Sequence, residues 1–238
     1  MIALVPEIRI FEWQIKIRGS PDKTIVEPLL KSIRDGVTVQ LEELTLYIGP
    51  GLRYIEPNLV SSAVLKVEDC TIIAGLSLGQ LKAILRGVIH NTNASLRSLN
   101  FGDCWNAKYV APDILAEAAV KLEYLRVIGL SRSQMAAILA RLAATPDSRL
   151  KHLDCGGSWI DPFVAPDILA EAAVKLEPLK VRDLSRSQME AVLTRLAATP
   201  DCRLKHLRFG CTVDVRQMDP EVVKTALAKL ESVGPLWT

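Results

Sequence analysis

The stretch VAPDILAEAAVKLE runs from Val110 to Glu123 and recurs, letter for letter, from Val164 to Glu177. The same offset separates two copies of RLKHL, which begin at Arg149 and Arg203. Self-similarity at a fixed period indicates that the chain builds one structural unit several times.

A short apolar pattern with the spacing LxxLxL accompanies this unit. It begins at residues 41, 96, 122, 150, 176 and 204, and the last five starts are separated alternately by a shorter and a slightly longer interval. The copied unit is therefore a pair of alternating repeats. Because residues two apart share a face of a strand, each pattern predicts a short strand with its leucines on one side. A weaker strand is expected at residues 70–73.

Each strand is followed by a helical pattern of one of two types. In the first type, Pro112 and Pro166 suit the first helical turn. In the second type, Ser131 and Gln134 have the capping-box form S-x-x-Q, which recurs at Ser77 and Ser185. Four apolar residues then fall on one helical face: Met135, Ile138, Leu139 and Leu142. Prolines after these helices should end them: Pro146 and Pro200.

A unit of one strand and one helix cannot bury its apolar side alone. Stacking such units places the strands in one parallel sheet and the helices outside it. Since helices are wider than the spacing between strands, of about 4.8 Å, the stack must curve with the sheet inside. The sequence therefore predicts an α/β solenoid, a horseshoe of seven or eight repeats with parallel strands on the concave face and helices on the convex face.

The LxxLxL strands and paired helices resemble the leucine-rich repeats of the ribonuclease-inhibitor-like subfamily, which also occur in cytoplasmic NOD-like receptors. The resemblance covers nearly all of the chain after about Leu41 and implies a protein-interaction module. The sequence departs from the family at the position three residues after the last leucine of LxxLxL, where the family usually has Asn or Cys. That position holds Cys104, Leu130, Ser158, Leu184 and Thr212, so the family's ladder of turn hydrogen bonds is incomplete.

The two ends of the chain depart from the repeat. Residues 1–38 are expected to form an N-terminal cap or degenerate first repeat, with extended chain up to Ile17 and then a helix whose apolar face carries Ile25, Leu29, Leu30 and Ile33. Residues 39–238 form one continuous solenoid with this cap. At the other end Leu230 should begin another strand, where Pro235 intrudes. Either Leu236 and Trp237 cap the array or the natural protein continues.

The residues between the strand leucines should face the concave surface. They are polar and varied, whereas the buried positions are uniformly apolar. The later strands are rich in basic side chains, offset by Asp154. We expect this face to bind a partner, acidic in character, although a solvated face with no partner is the alternative. The predicted contact residues are Tyr124, Arg126, His152, Asp154, Lys180, Arg182, His206 and Arg208.

Two tryptophans, Trp105 and Trp159, are separated by the offset of the copied unit, and each precedes an aromatic residue. They either fill the space under a strand-to-helix loop or form an exposed aromatic rim that contacts a partner. His152 and His206 lie two strands apart, about 10 Å, which is too far for the two to share a metal ion without further ligands. Both histidines belong to the copied sequence RLKHL, and this duplication explains why the histidine recurs.

Composition narrows the classes of function. The net charge is +2, which gives no overall attraction to nucleic acid, and no apolar run approaches the roughly 18 residues of a membrane span. The five cysteines have no metal-type spacing, the start lacks the pattern of a secretory signal, and no catalytic motif is present. We expect a monomeric cytoplasmic protein with free thiols that binds a protein partner, as the sensing or regulatory part of a larger protein, without cofactor, metal or catalytic residues. A passive scaffold that binds through a helix face or rim is the alternative, and an enzyme is a distant third.

Overall fold

The computed structural model describes residues 7–11, 14–19, 23–36, 41–48, 53–72, 75–102, 106–155, 164–182, 184–210 and 218–235. Strands and helices alternate along this part of the chain. The strands are β1 (Glu7–Phe11), β2 (Gln14–Gly19), β3 (Glu43–Ile48), β4 (Asp69–Ile72), β5 (Ser98–Asn100), β6 (Tyr124–Arg126), β7 (His152–Asp154), β8 (Pro178–Arg182), β9 (His206–Gly210) and β10 (Ser232–Pro235). The α-helices are α1 (Lys23–Arg34), α2 (Pro57–Val64), α3 (Leu78–His90), α4 (Pro112–Ala119), α5 (Arg132–Ala144), α6 (Pro166–Ala173), α7 (Arg186–Ala198) and α8 (Pro220–Leu227).

The strands form two sheets in chain order. Strands β1 to β7 make one sheet, and β8, β9 and β10 make the other. All neighbouring pairs are parallel except β1 and β2, which are antiparallel. The prediction of one parallel sheet for the repeats was therefore wrong in one respect, since the ladder stops between β7 and β8. The antiparallel pair lies in the predicted N-terminal cap.

The predicted strands are confirmed, and their leucines stand in register. Leu99 pairs with Leu125, and Leu125 pairs with Leu153. In the second sheet Leu179 pairs with Leu207. These side chains are buried, apart from Leu153, which is only half-buried. The aligned leucines form the strand side of a hydrophobic core that also includes buried residues of the helices.

The helix boundaries follow the predicted caps. Three serines, Ser77, Ser131 and Ser185, each accept a hydrogen bond from the backbone N–H three residues later, and the serine N–H donates in return to the side chain of the glutamine there. Helices α4 and α6 begin at the predicted prolines, and α5 and α7 end two residues before theirs. Local sequence thus determines where each of these helices begins and ends.

The capping glutamines also tie each unit to the one before it. The side chain of Gln134 is buried, and its Nε2 donates to the backbone oxygens of Ala107 and Val110, both at 2.7 Å. Gln188 donates in the same way to Val164 at 2.9 Å, and Gln80 donates to Ile55 at 2.7 Å. One glutamine can cap its own helix and also bond to the preceding unit, because its amide accepts through oxygen and donates through nitrogen.

Two lysines hold helix ends in a similar way. Lys175 Nζ donates to the carbonyl oxygens of Leu142, Ala143 and Thr145 at 2.8, 2.8 and 3.0 Å. Lys229 Nζ repeats this pattern at the end of α7. Since the last carbonyls of a helix lack partners inside the helix, an ammonium group placed there satisfies them. Burial, the largest cause, lowers the pKa of Lys175.

The helices form one continuous layer, in which each packs against the next from α1 to α8. The helix predicted in the N-terminal segment is confirmed as α1, and Gly36 follows it with φ +68°, a conformation that favours glycine. Its buried face differs from the prediction, because Val26 is buried while Ile25 is 46% exposed. Strand β2 pairs with β3 across the proposed boundary at residue 38, which itself stays a prediction.

The strand expected after Leu230 forms in spite of Pro235. It is β10, which pairs in parallel with β9. Residues 236–238 lie outside the described part of the chain, so the proposed cap by Leu236 and Trp237 stays a prediction. Among the helices of the described residues, none has the length and apolar character needed to cross a membrane.

Candidate interaction surface

The predicted partner-binding residues form two rows across strands β6 to β9. In the first row Tyr124 pairs with His152, and their ring centroids are 6.0 Å apart. Pro178 and His206 continue this row on β8 and β9. The register of the strands thus brings together side chains from successive units that are distant in sequence.

The second row carries the charges. Arg126 pairs with Asp154 in register, and Arg126 Nε lies 3.5 Å from Asp154 Oδ2. This contact offsets the positive charge of Arg126, as the sequence predicted for Asp154. On the next two strands Lys180 and Arg208 stand opposite each other, and both are exposed. Among the described residues, neither Lys180 nor Arg208 has an acidic partner within ion-pair distance.

The basic part of the surface therefore lies on the second sheet. Neighbouring strands are about 4.8 Å apart, so Lys180 and Arg208 present two positive charges close together. Like charges at this spacing repel each other, and an acidic group placed between them would relieve the repulsion. Arg182 continues this strand, but its side chain is outside what the structure describes.

The two histidines have equivalent surroundings. His152 Nε2 lies 3.4 Å from Glu177 Oε2, and His206 Nε2 lies 3.9 Å from Glu231 Oε2. His206 Nδ1 also lies 2.9 Å from Ser232 Oγ. Strand β8 separates the two histidines, and each faces its own carboxylate. The matching contacts follow from the copied RLKHL and LE sequences.

From β5 to β10, the charged residue just before each strand alternates in sign from one unit to the next. The carboxylate of Glu123 accepts from Lys151 Nζ at 2.8 Å and from Arg149 Nη2 at 3.4 Å. The hydrogen bond from Lys151 is the largest cause that holds the pKa of Glu123 below its usual value, and the bond from Arg149 adds to it. This cluster borders an open cleft of about 350 Å³, which Asp147 and Arg203 also line.

Replacement of Glu123 should have a small, pH-dependent effect. Because the pKa of Glu123 is lower in the folded protein, its carboxylate stabilises the fold above the ordinary glutamate pKa of about 4.3, and this stabilisation is lost as the pH falls through the lower folded value. Glu123→Gln should reduce the free energy of unfolding by about 0.5–1 kcal/mol at pH 7. Urea denaturation should show the difference at pH 7 and little of it at pH 3.

Glu190→Gln is the control for this measurement, since Glu190 is exposed on α7. It should change stability by less than about 0.5 kcal/mol at either pH. An equal loss in the two variants, or a loss at Glu123 that persists at pH 3, would contradict the role given to its carboxylate.

Some residues predicted to face the strand surface are covered. Thr45 on β3 is buried, and its Oγ1 donates to Glu43 Oε1 at 2.8 Å. Gly102 is buried as well. The polar strand face is thus open at Lys180 and Arg208 and covered at Thr45. Trp105 and Trp159 lie outside the described residues, so the rim proposed for them stays a prediction.

A pair of exposed tyrosines lies on the loops that lead into α2 and α4. Tyr54 is 70% exposed and Tyr109 is 61% exposed, more than the other exposed large apolar residues of the described chain. Lys108 Nζ lies 5.0 Å from the centroid of the Tyr109 ring. The sequence analysis missed Tyr54, although RYIEP from Arg53 matches KYVAP from Lys108 and would have revealed it.

Among the described residues, no group of three or more His, Cys, Asp or Glu side chains could hold a metal ion. Cys70 and Cys155 are buried thiols, and burial raises the pKa of each well above its usual value. Such thiols are poor nucleophiles at neutral pH because the thiolate is the reactive form.

Comparison with known proteins adds no assignment. No protein-family model matches the chain, and no curated protein matches it. The fold and the surface therefore stand on the residues and contacts described above.

Proposed function

We propose that this chain is a leucine-rich-repeat solenoid, similar to the ribonuclease-inhibitor-like subfamily, that binds an acidic region of a protein partner on its strand face. The in-register leucines, the alternating strands and helices and the continuous helix layer support the solenoid. The greater width of helices than of strands curves such an array with its strands inside. A concave strand face can then contact a partner through several units at once.

The observation that carries the binding proposal is the pair Lys180 and Arg208. Both are exposed, they are opposite each other on adjacent strands, and the described residues leave them without an acidic partner. Tyr124 and His152, on β6 and β7, add aromatic contact area to the same face. Aromatic and arginine side chains contribute a large share of binding energy at protein interfaces.

Charge reversal tests this surface. Beads carrying the wild-type chain should retain a protein from a cell extract, and the double variant Lys180→Glu, Arg208→Glu should bind the same purified protein at least about tenfold more weakly, a change of about 1.4 kcal/mol. Arg141→Glu, an exposed reversal on α5, is the matched control. The affinity should also fall as salt is raised from about 50 to about 300 mM, because salt screens exposed charges.

The strand surface is not the binding site if the double variant binds the purified protein as tightly as the wild type. The same conclusion follows if Arg141→Glu weakens binding as much as the double variant does. In either case the partner contacts another surface, or its binding depends on the total charge of the protein.

Binding through the rim is the second candidate, and the exposed tyrosines favour it. Ile55 and Val110, which follow the two tyrosines, are buried. Their carbonyl oxygens accept from Gln80 and Gln134, so Ile55 and Val110 stabilise the fold. The tyrosine rings are left facing solvent. If the rim binds the partner, Tyr54→Ser with Tyr109→Ser should abolish binding while the reversal of Lys180 and Arg208 leaves it intact. The opposite pattern excludes the rim.

The proposal also includes a monomeric, non-catalytic role in the cytoplasm. The buried thiols of Cys70 and Cys155 suit a reducing compartment. Sedimentation of the purified chain at several concentrations tests the monomer, and a shift to dimers would contradict it.

A further inference from the structure

We propose that the junction between β7 and β8 is a hinge that divides the strand surface into two halves that move relative to each other. The hinge depends on Pro178. Its effect on partner binding rests on the proposed function, but the hinge itself does not. The backbone hydrogen bonds at this junction differ from those at the equivalent junctions of the same chain.

The first residue of each strand normally bonds to the preceding unit. The N–H of Tyr124 donates to Arg97 O at 3.2 Å, and the N–H of His152 donates to Glu123 O at 3.1 Å. The N–H groups of His206 and Ser232 make the same bond, each at 3.1 Å. Pro178 occupies this position at the start of β8 and has no N–H to donate. It replaces the tyrosine found in the copy that is otherwise identical up to this point.

The structure shows the effect of this replacement. Glu177 N still donates to Lys151 O at 2.8 Å, so the two strands begin side by side. Beyond that bond β7 and β8 form no ladder, and β8 belongs to the second sheet. Leu153 on β7 is half-buried, whereas Leu125 and Leu207 at equivalent positions are fully buried. The strand side of the junction is therefore looser than its neighbours.

The helix side of the same junction is held together. Helix α6 packs against both α5 and α7. The three hydrogen bonds from Lys175 to Leu142, Ala143 and Thr145 cross this junction at the helix ends. A structure that is fixed on one side and open on the other bends about the fixed side. Motion at the junction thus changes the separation of β7 and β8, while α5, α6 and α7 keep their contacts.

This motion acts on the interaction surface. The ion-paired Arg126 and Asp154 lie on one side of the hinge, and the exposed Lys180 and Arg208 lie on the other. A partner that contacts both sides selects one separation of the halves and therefore stabilises one curvature of the array. Opening and closing of the junction is then a means of regulating affinity.

Distances between spin labels test the hinge without any partner. One pair, at Glu43 and His152, spans four strand steps inside the first sheet. A matched pair, at Ser98 and His206, also spans four strand steps but crosses the junction. Both separations should be about 19 Å. Labels attached through an encoded ketone amino acid leave the native cysteines unchanged, and double electron–electron resonance gives the distance distributions.

We expect a broader distribution for the pair that crosses the junction. Pro178→Tyr restores the residue of the other copy, and Pro178→Ser restores an N–H with a small side chain. Both should narrow this distribution to the width of the control pair and slow amide exchange in β8 about fivefold, the effect of one net backbone hydrogen bond. Conversely, Tyr124→Pro should broaden the distribution of the control pair.

Equal widths in the wild-type protein would overturn the hinge. So would an unchanged width in both variants of Pro178 that retain the native circular dichroism spectrum. Because no partner takes part, a failure of the hinge is distinct from a failure of the strand surface to bind. Unchanged binding in the Lys180 and Arg208 variant would overturn the proposed binding surface and leave the hinge untouched.

Discussion

Gln134→Glu should lower the free energy of unfolding by about 3 kcal/mol, because the buried carbonyl groups of Ala107 and Val110 lose the hydrogen bonds from Gln134 Nε2. The Gln134 amide is buried, accepts from Ser131 N at 2.9 Å and donates to these two backbone oxygens of the preceding unit. A carboxylate can accept but cannot donate, so Val110 O loses its donor, while Ala107 O keeps only the bond from Val110 N at 3.0 Å. Each buried polar group left unsatisfied costs about 1–3 kcal/mol. Urea denaturation followed by circular dichroism measures the loss.

Ser131→Ala is the matched control, because it removes the helix cap and leaves the contact between units in place. It should cost about 1 kcal/mol. The transition of Gln134→Glu should also broaden, because the stability of a stacked array depends on contacts between neighbouring units. If Gln134→Glu costs no more than Ser131→Ala, the glutamine serves only as a cap, and the proposed tie between units is wrong.

Leu125→Ala should lower the free energy of unfolding by about 3 kcal/mol, the loss typical of a leucine truncated in a packed core. Leu125 is fully buried and stands in register between Leu99 and Leu153. The cavity cannot collapse easily, because the strands on either side fix its walls. Denaturation by urea at pH 7 again gives the measurement.

The same substitution one strand later provides the comparison. Leu153 is half-buried at the edge of the junction with β8. Leu153→Ala should therefore cost about 1 kcal/mol, in proportion to the smaller apolar area it removes from the core. Equal losses at Leu125 and Leu153 would contradict both the looser packing of β7 and the hinge that depends on it.

The regular parts of the fold could be predicted because local chemistry decides them. The strands around Leu125 and Leu207 follow from period-two alternation, and the start of α5 follows from the Ser131 cap. These features depend on residues within a few positions of each other. Helix α1 could also be predicted from its local sequence, although Val26 rather than Ile25 is buried in the core.

The break in the sheet was missed because it depends on a neighbour. A proline at the start of a strand is ordinary in isolation. It interrupts a ladder only if its N–H would have faced the adjacent strand, as the N–H of Tyr124 does. The alignment of the two copies, which places Pro178 opposite Tyr124, contains the information needed to predict the effect.

Only the exposure of the candidate surface could be predicted from the sequence. The alternation of side chains predicts that Lys180 and Arg208 are exposed, as they are, and their role in binding stays a prediction. The ion pair between Arg126 and Asp154 depends on the register of two strands and on side-chain rotamers. The burial of Thr45 likewise depends on packing that strand periodicity does not encode.

Methyl contacts in solution test the central claim, a single array in which each unit packs on the next. In a sample with labelled leucine methyl groups, nuclear Overhauser effects should connect Leu99 to Leu125, Leu125 to Leu153, Leu153 to Leu179 and Leu179 to Leu207, in chain order. The contact between Leu153 and Leu179 should be the weakest, because it crosses the junction between the sheets. A strong contact that skips a unit, such as Leu99 to Leu179, or the absence of any contact between Leu153 and Leu179, would contradict the array.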